Sequence, residues 1–174
     1  PIQNLTPLSL QENRVIGEIS WEGNTKYTDE KLNEVLDIKP GDIYNKEIIS
    51  KQLDYNPVQS TLADLYMDYG YLYFSVNLKD TVINDKVSLT FEVYEGITAT
   101  VDKIIIKGNE NVETQKILEM MEIKKGDLFN RTKLIASQRN IAESGYFDSG
   151  NVNIYPIPHD DFKLVDFEFT VTEI

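Results

Sequence analysis

The chain has 174 residues, of which 17 are basic and 29 acidic, giving a formal net charge of −12, and it contains no cysteine. That charge disfavours nucleic acid, whose phosphates need clustered Lys and Arg, and disfavours anionic lipid for the same reason. The missing cysteines exclude disulfides, thiol chemistry and the usual structural zinc ligands.

A hydrophobic fraction of 41% is enough for real cores. No run approaches the roughly 18 apolar residues of a membrane span, and no basic-then-apolar leader opens the chain. Because the first residue is Pro1 rather than Met, the chain is expected to be a piece of a longer protein.

Residues 1–13 show no periodicity and read as an N-terminal remnant or linker. Arg14–Trp21 reads as a strand, with Val15, Ile19 and Trp21 on a period of two. Gly23-Asn24 makes a turn, since Gly accepts positive φ and Asn tolerates it. A helix follows, with Thr28 as N-cap and with Asp29 and Glu30 in the first turn, where the helix dipole favours acids. Tyr27 and Leu32 stand at the spacing of a hydrophobic staple, and Leu32, Val35 and Leu36 form one apolar face. Pro40-Gly41 ends this helix, and Gly41-Asp42 turns the chain.

Asn45 caps a second helix carrying Ile48, Ile49 and Leu53. Pro57 interrupts it, and Leu62, Leu65, Tyr66 and Tyr69 resume the helical spacing up to Gly70. A hairpin then runs from Ser75–Val82, through Asn84-Asp85, to Val87–Tyr94. Val76, Leu78 and Val82 face inward on its first arm, and Val87, Leu89, Phe91 and Val93 on its second.

The same programme is then repeated. Residues 19–45 align without gaps on residues 104–130, with ten of 27 pairs identical. Gly23-Asn24 maps onto Gly108-Asn109, and Gly41-Asp42 onto Gly126-Asp127. Physics recurs even where identity does not: Val112 and Ile117 repeat the staple, and Ile117, Met120 and Met121 repeat the apolar face. Leu134, Ile135, Ile141 and Gly145 follow as an uninterrupted second helix. A hairpin of Val152–Ile157 and Leu164–Val171 closes the copy through Pro158-His159-Asp160-Asp161. The first copy carries ten extra residues, placed near Asn56-Pro57-Val58-Gln59.

Internal repetition marks a tandem array. The expected division is a first copy at 14–95, a short linker at 96–100 and a second copy at 101–174. The expected fold class is α+β: two tandem β-α-α-β-β units, each a three-stranded mixed sheet with two helices packed on one face. Parallel pairing of first and last strands uses a right-handed crossover and leaves the middle strand at a sheet edge.

Little in the chain announces chemistry. His159 lies in a predicted turn and reads as a solvated loop histidine. Asp160-Asp161 lacks the further oxygen ligands of a cation loop. Because the Gly-Asp turns recur in both copies, Gly23, Asn24, Gly41, Asp42, Gly108, Asn109, Gly126 and Asp127 are read as structural turns. Phosphate loop, nucleophile elbow and metal motif are all missing, so no enzyme, cofactor or metal is expected.

Two surfaces are candidates for partners. The first is the edge strand Ser75, Val76, Asn77, Leu78, Lys79, Asp80, Thr81 and Val82, whose unpaired backbone groups can accept an added strand. On the corresponding strand of the second copy, Pro156 and Pro158 remove donors. The competing reading is that Lys79 and Asp80 merely guard an edge against aggregation. The second surface is aromatic: the cluster Tyr66, Tyr69, Tyr71, Tyr73 and Phe74 is denser than one small core needs, and beyond the core packing that explains most of it, Tyr69, Tyr71, Tyr73 and Phe74 suit a partner or the neighbouring unit.

Each copy thus runs strand, Gly-Asn, helix, Ile-Lys-x-Gly-Asp-x-aromatic-Asn, helix ending in Gly-Tyr-hydrophobic, and a hairpin closing on Glu95 or Glu173. This resembles the POTRA domain over nearly all of residues 15–174. The stretch Leu65-Tyr66-Met67-Asp68-Tyr69-Gly70-Tyr71-Leu72-Tyr73-Phe74 is similar to BamA-like proteins of the Bacteroidetes group. Residues 137–147 and 165–173 resemble the POTRA domain next to the barrel.

The resemblance implies a non-enzymatic periplasmic module of an outer-membrane protein assembly factor, made of the two copies nearest the barrel. Its implied partners are unfolded outer-membrane β-barrel proteins, accessory lipoproteins and the C-terminal β-barrel of the same parent chain. The alternative is the POTRA arm of a two-partner secretion transporter that recognises an exported substrate.

Overall fold

The computed structural model describes residues 14–56 and 60–174. The expectations placed on residues 1–13 and on 57–59 lie outside them. Of the described residues, one unit takes those up to Leu65 together with Phe74–Glu95. The other takes Tyr66–Tyr73 and Gly96–Ile174.

The first unit contains β1 (Ile16–Glu22), α1 (Asp29–Leu36), α2 (Lys46–Leu53), the start of α3 (Leu62–Met67), β2 (Ser75–Ile83) and β3 (Lys86–Tyr94). The second contains β4 (Thr100–Lys107), α4 (Thr114–Met120), α5 (Arg131–Ala142), β5 (Asn153–Pro158) and β6 (Leu164–Thr170). Each sheet has three strands, in the orders β1-β3-β2 and β4-β6-β5. The outer pair β1/β3 is parallel and β2/β3 antiparallel, and β4/β6 and β5/β6 repeat this. Both units are therefore the mixed three-stranded sheets with helices that the element order implies.

The first copy departs from two helices. Its second helical stretch is divided into α2 and α3, with Pro57, which cannot donate a helical N–H, between them in sequence. The second piece starts afresh: the Asp64 carboxylate accepts from the Thr61 backbone N–H (3.0 Å) and hydroxyl (3.2 Å). It also ends early, at Met67, so Tyr69 lies beyond the helix and is exposed rather than on its apolar face. The other helix starts are side-chain capped where the sequence offers a short oxygen. Thr28 accepts from Lys31 N–H, Asn45 from Ile48 N–H and Asn130 from Lys133 N–H. Glu113, at the start of α4, makes no side-chain cap bond.

The opening strands carry a feature that the period-two reading missed. In β1 the register shifts between Ile16 and Ile19, so the buried residues are Ile16 and Trp21 rather than the odd series from Val15. β4 shifts at the equivalent place, between Val101 and Ile104. Ahead of each bulge the Gly-Asp turn docks on the strand. Ile16 N–H donates to Asp42 O and Gly41 N–H to Ile16 O, both at 2.8 Å; Val101, Asp127 and Gly126 repeat this at 2.8 Å. Both turns are held from within, because the Asp42 carboxylate accepts from Lys39 N–H and the Asp127 carboxylate from Lys124 N–H, each at 2.9 Å.

The cores lie on the central strands. Val87, Leu89, Phe91 and Val93 alternate inward along β3, as do Val165, Phe167 and Phe169 along β6. Phe91 stacks on Trp21 at 4.2 Å between ring centroids, and Phe129 on Phe167 at 5.8 Å. In the second unit Ser137, fully buried, accepts from Glu122 and Ile123 N–H and donates to Lys133 O, which ties the α4–α5 connection to α5. Among the described residues, no helix is long and apolar enough to cross a membrane.

Candidate partner-binding edge

The open side of β2 is defined by its hairpin. Asn84 and Asp85 both have left-handed backbones, φ 50° and 65°, between the paired residues Ile83 and Lys86. Two such residues make the turn whose twist matches that of the strands. The pair flanking this turn exchanges both of its backbone hydrogen bonds, and pairs then alternate along the ladder.

Ser75, Asn77, Lys79, Thr81 and Ile83 therefore spend their N–H and C=O on β3. Val76, Leu78, Asp80 and Val82 present theirs to the open side. An independent bond agrees: Val87, the partner of Val82, donates its N–H to Val15 on the other side of β3, at 2.9 Å. The candidate edge thus offers four outward donor–acceptor residues, spaced roughly 7 Å apart along the strand.

The side chains of this strand divide as pleating requires. Val76 and Leu78 are half-buried, but Val82 is 41% exposed, which corrects its expected inward place. The strand runs one residue beyond Val82, and Ile83 is exposed too. Asp80 turns inward: its carboxylate accepts from the Tyr44 hydroxyl and lies 3.5 Å from the Lys46 ammonium. Burial first, then the bond to Asp80, holds the Tyr44 hydroxyl protonated far above the ordinary tyrosine range. Asp80 is therefore a structural anchor rather than a guard on the outer surface. Lys79 pairs with Glu92 on the solvent face, and that hydrogen bond raises its pKa.

The second unit treats the same edge differently. Val171 N–H donates to Lys107 O at 2.9 Å, so alternation points the odd-numbered amides of β6 at β4. Ile154, Pro156 and Pro158, which pair with Phe169, Phe167 and Val165, then face the open side of β5. Both prolines fall where their missing N–H costs no ladder bond and removes an outward donor. By register, Pro156 answers Asp80 and Pro158 answers Val82, since the partners Leu89 and Val87 correspond to Phe167 and Val165.

Among the aromatic candidates, Tyr69 is exposed, Tyr71 and Tyr73 are half-buried, and Phe74 is only 7% exposed and offers no surface to an outside partner. Tyr71 packs edge-on to Tyr66, and Tyr73 edge-on to Phe162.

A role that sequence reasoning missed belongs to the closing acids. Gly23 and Gly108 have φ +85° and +95°. Asn24 and Asn109 brace their turns through bonds to Tyr27 O and Val112 O. This aims backbone amides at one carboxylate in each copy. Glu95 accepts from Thr25 and Lys26 N–H, both at 2.9 Å, and Glu173 from Glu110, Asn111 and Val112 N–H at 2.7–2.8 Å. The only sequence signal was that both copies close on Glu.

The Val112 amide, with Asn111 and Glu110 and against a partial desolvation penalty, lowers the Glu173 pKa from 4.5 to about 2. A depressed folded pKa means stabilisation that is fully present above 4.5 and lost as pH falls through about 2. Glu173→Gln is expected to flatten the acid limb of the second unit's stability–pH curve between those values. An unchanged limb in urea titrations at successive pH values would refute that.

Two mixed sheets with the same strand order, each closed by an acid seated among backbone amides, define a tandem of two related α+β units. The chain belongs to the POTRA family: the family profile, described as "Surface antigen variable number repeat", matches residues 14–96 and again 99–174.

Among curated proteins the chain is similar to a "Putative outer membrane protein assembly factor" of Treponema pallidum, 30% identical over 159 residues, covering 90% of this chain and 18% of the relative. It is also similar to "Outer membrane protein assembly factor BamA" of Nitratidesulfovibrio vulgaris, 25% identical over 161 residues, covering 91% and 20%. The chain thus spans only 18–20% of the length of these relatives. Among solved structures, Haemophilus influenzae BamA POTRA3-5 shares the fold with a TM-score of 0.75 at 18% identity, covering 92% of this chain and 61% of that one.

Proposed function

We propose that this chain is a periplasmic, non-enzymatic binding module of an outer-membrane protein assembly factor, and that β2 accepts an extended client segment as an added strand. The observation that carries this reading is the set of outward backbone groups on Val76, Leu78, Asp80 and Val82. They can bond any extended chain regardless of its side chains, which suits a module serving many unfolded barrel proteins. The names of its curated relatives support the assembly-factor context over the arm of a two-partner transporter. Accessory lipoproteins and a barrel in the same parent chain are the further partners of this reading, with the two copies as the pair nearest that barrel.

The test is Val82→Pro. It places in β2 what Pro158 already supplies in β5, and it removes an outward donor without touching the β2–β3 ladder. The expected result is a loss of affinity for an extended barrel-strand peptide of roughly tenfold, as one lost backbone bond of about 1–1.5 kcal/mol implies. Folding stability should change little, because every β2–β3 ladder bond is kept. Lys79→Pro is the contrast, since it removes an amide bonded to Thr90 and opens the hairpin. Unchanged peptide affinity in folded Val82→Pro would reject β2 as the acceptor.

A further inference from the structure

We infer that Asp102, His159 and Asp166 form a binding site for one divalent transition-metal ion of the zinc class on the second unit. The three residues come from separate parts of one sheet: Asp102 from β4, Asp166 from its parallel neighbour β6, and His159 from just after β5. One ligand atom from each lies within 4.8 Å of the others.

His159 Nε2 is 2.9 Å from Asp166 Oδ1 and 3.6 Å from Asp102 Oδ2. A tetrahedral ion bound at about 2.0–2.1 Å holds its ligand atoms roughly 3.3 Å apart. The imidazole is thus already at ligand spacing from both carboxylates, and small side-chain rotations would admit the ion. The groups are half-buried, with side-chain exposures of 26, 32 and 14%, which leaves an open side for a bound water. One imidazole with two carboxylates suits zinc, cobalt or manganese better than calcium, which takes six or more oxygens.

The site is partly fixed in place. Lys103 N–H donates to Asp166 Oδ1 at 2.9 Å. Asp102 Oδ1 lies 3.8 Å from the Lys125 ammonium, which leaves Oδ2 turned to the histidine. His159 N–H is bonded to Leu164 O at 2.9 Å.

The first unit serves as an internal control. It makes the same bulge and the same sheet, yet register places Gly17, Ile83 and Ser88 where the second unit has Asp102, His159 and Asp166. The fold therefore does not require ligating side chains at these positions, and their convergence in one copy is an addition to it. Binding would use the neutral imidazole and would tie β4, β6 and the β5–β6 turn together.

The test is a calorimetric titration of the whole chain with Zn²⁺, followed by NMR of the His159 ring and a thermal scan. The expected results are saturable one-to-one binding, a shift of the His159 ring carbons and a rise in the melting temperature of the second unit that EDTA reverses. His159→Ala and Asp102→Asn should each weaken binding at least tenfold, with the apo fold intact by amide spectra. Asp166→Asn is the less clean variant, because Asp166 also holds Lys103. Absence of saturable binding, or binding unaltered in His159→Ala, would overturn the inference.

Discussion

Gly108→Ala is expected to be the most destabilising glycine substitution in the second unit, costing more than about 3 kcal/mol. A Cβ at Gly108 would stand 2.0 Å from the Val171 carbonyl oxygen, with φ at +95°. The left-handed backbone alone costs a side chain roughly 1–2 kcal/mol. The clash adds to this and cannot be relieved by a rotamer, because the obstacle is backbone. Moving Val171 would disturb its bond to Lys107 and, two residues on, the seat of Glu173.

The total expected cost exceeds about 3 kcal/mol, against the roughly 4–11 kcal/mol typical of a unit this size. Gly126→Ala is the internal comparison: its φ is +89°, but nothing lies within 4 Å of the added Cβ, so only the backbone penalty of about 1–2 kcal/mol applies. Urea unfolding followed through β6 amide signals separates the two. Equal losses at the two glycines would contradict the close-approach argument.

Phe91→Ala is expected to cost the first unit about 3–5 kcal/mol, the usual range for deleting a buried aromatic ring. Phe91 is fully buried at the centre of β3, stacked on Trp21 and paired across the ladder with Leu78. The consequence reaches function, because β3 is the template that holds β2 at the edge. The variant should lose peptide binding in step with its loss of folded first unit. Trp21 is the sole tryptophan, so its fluorescence reports unfolding of this unit. A Phe91→Ala protein of wild-type stability would show that the stacked pair is not the keystone of this core.

Much of the fold was legible because the sequence states it twice. Gly23-Asn24 with Gly108-Asn109, and the shared Ile-Lys-x-Gly-Asp stretch, set the element order, and that order leaves the middle strand at an edge. What escaped the reading depends on register rather than on residue type. Ile16 takes the core place expected of the Val15 series because a bulge resets the pleat, and a bulge has no composition of its own here. Tyr69 falls outside because α3 ends at Met67, although the apolar spacing continues past it.

The outward amides of β2 could not be read until the hairpin turn fixed which pairs exchange hydrogen bonds. Glu95 and Glu173 are far in sequence from the amides they accept from, and His159 is far from Asp102. Such roles emerge only when strands from opposite ends of a unit are brought side by side. Pro156 and Pro158 were the exception, since the missing N–H of a proline carries meaning on any edge strand.

The central claim, strand addition at β2, is tested most directly by an amide-resolved NMR titration of the chain with an extended peptide taken from an outer-membrane β-barrel strand. The account predicts that the Val76, Leu78, Asp80 and Val82 amides shift and gain exchange protection, while Ser75, Asn77, Lys79 and Thr81, already bonded to β3, change little in protection. Perturbation confined to helical surfaces, with the β2 amides of a folded protein silent, would contradict it.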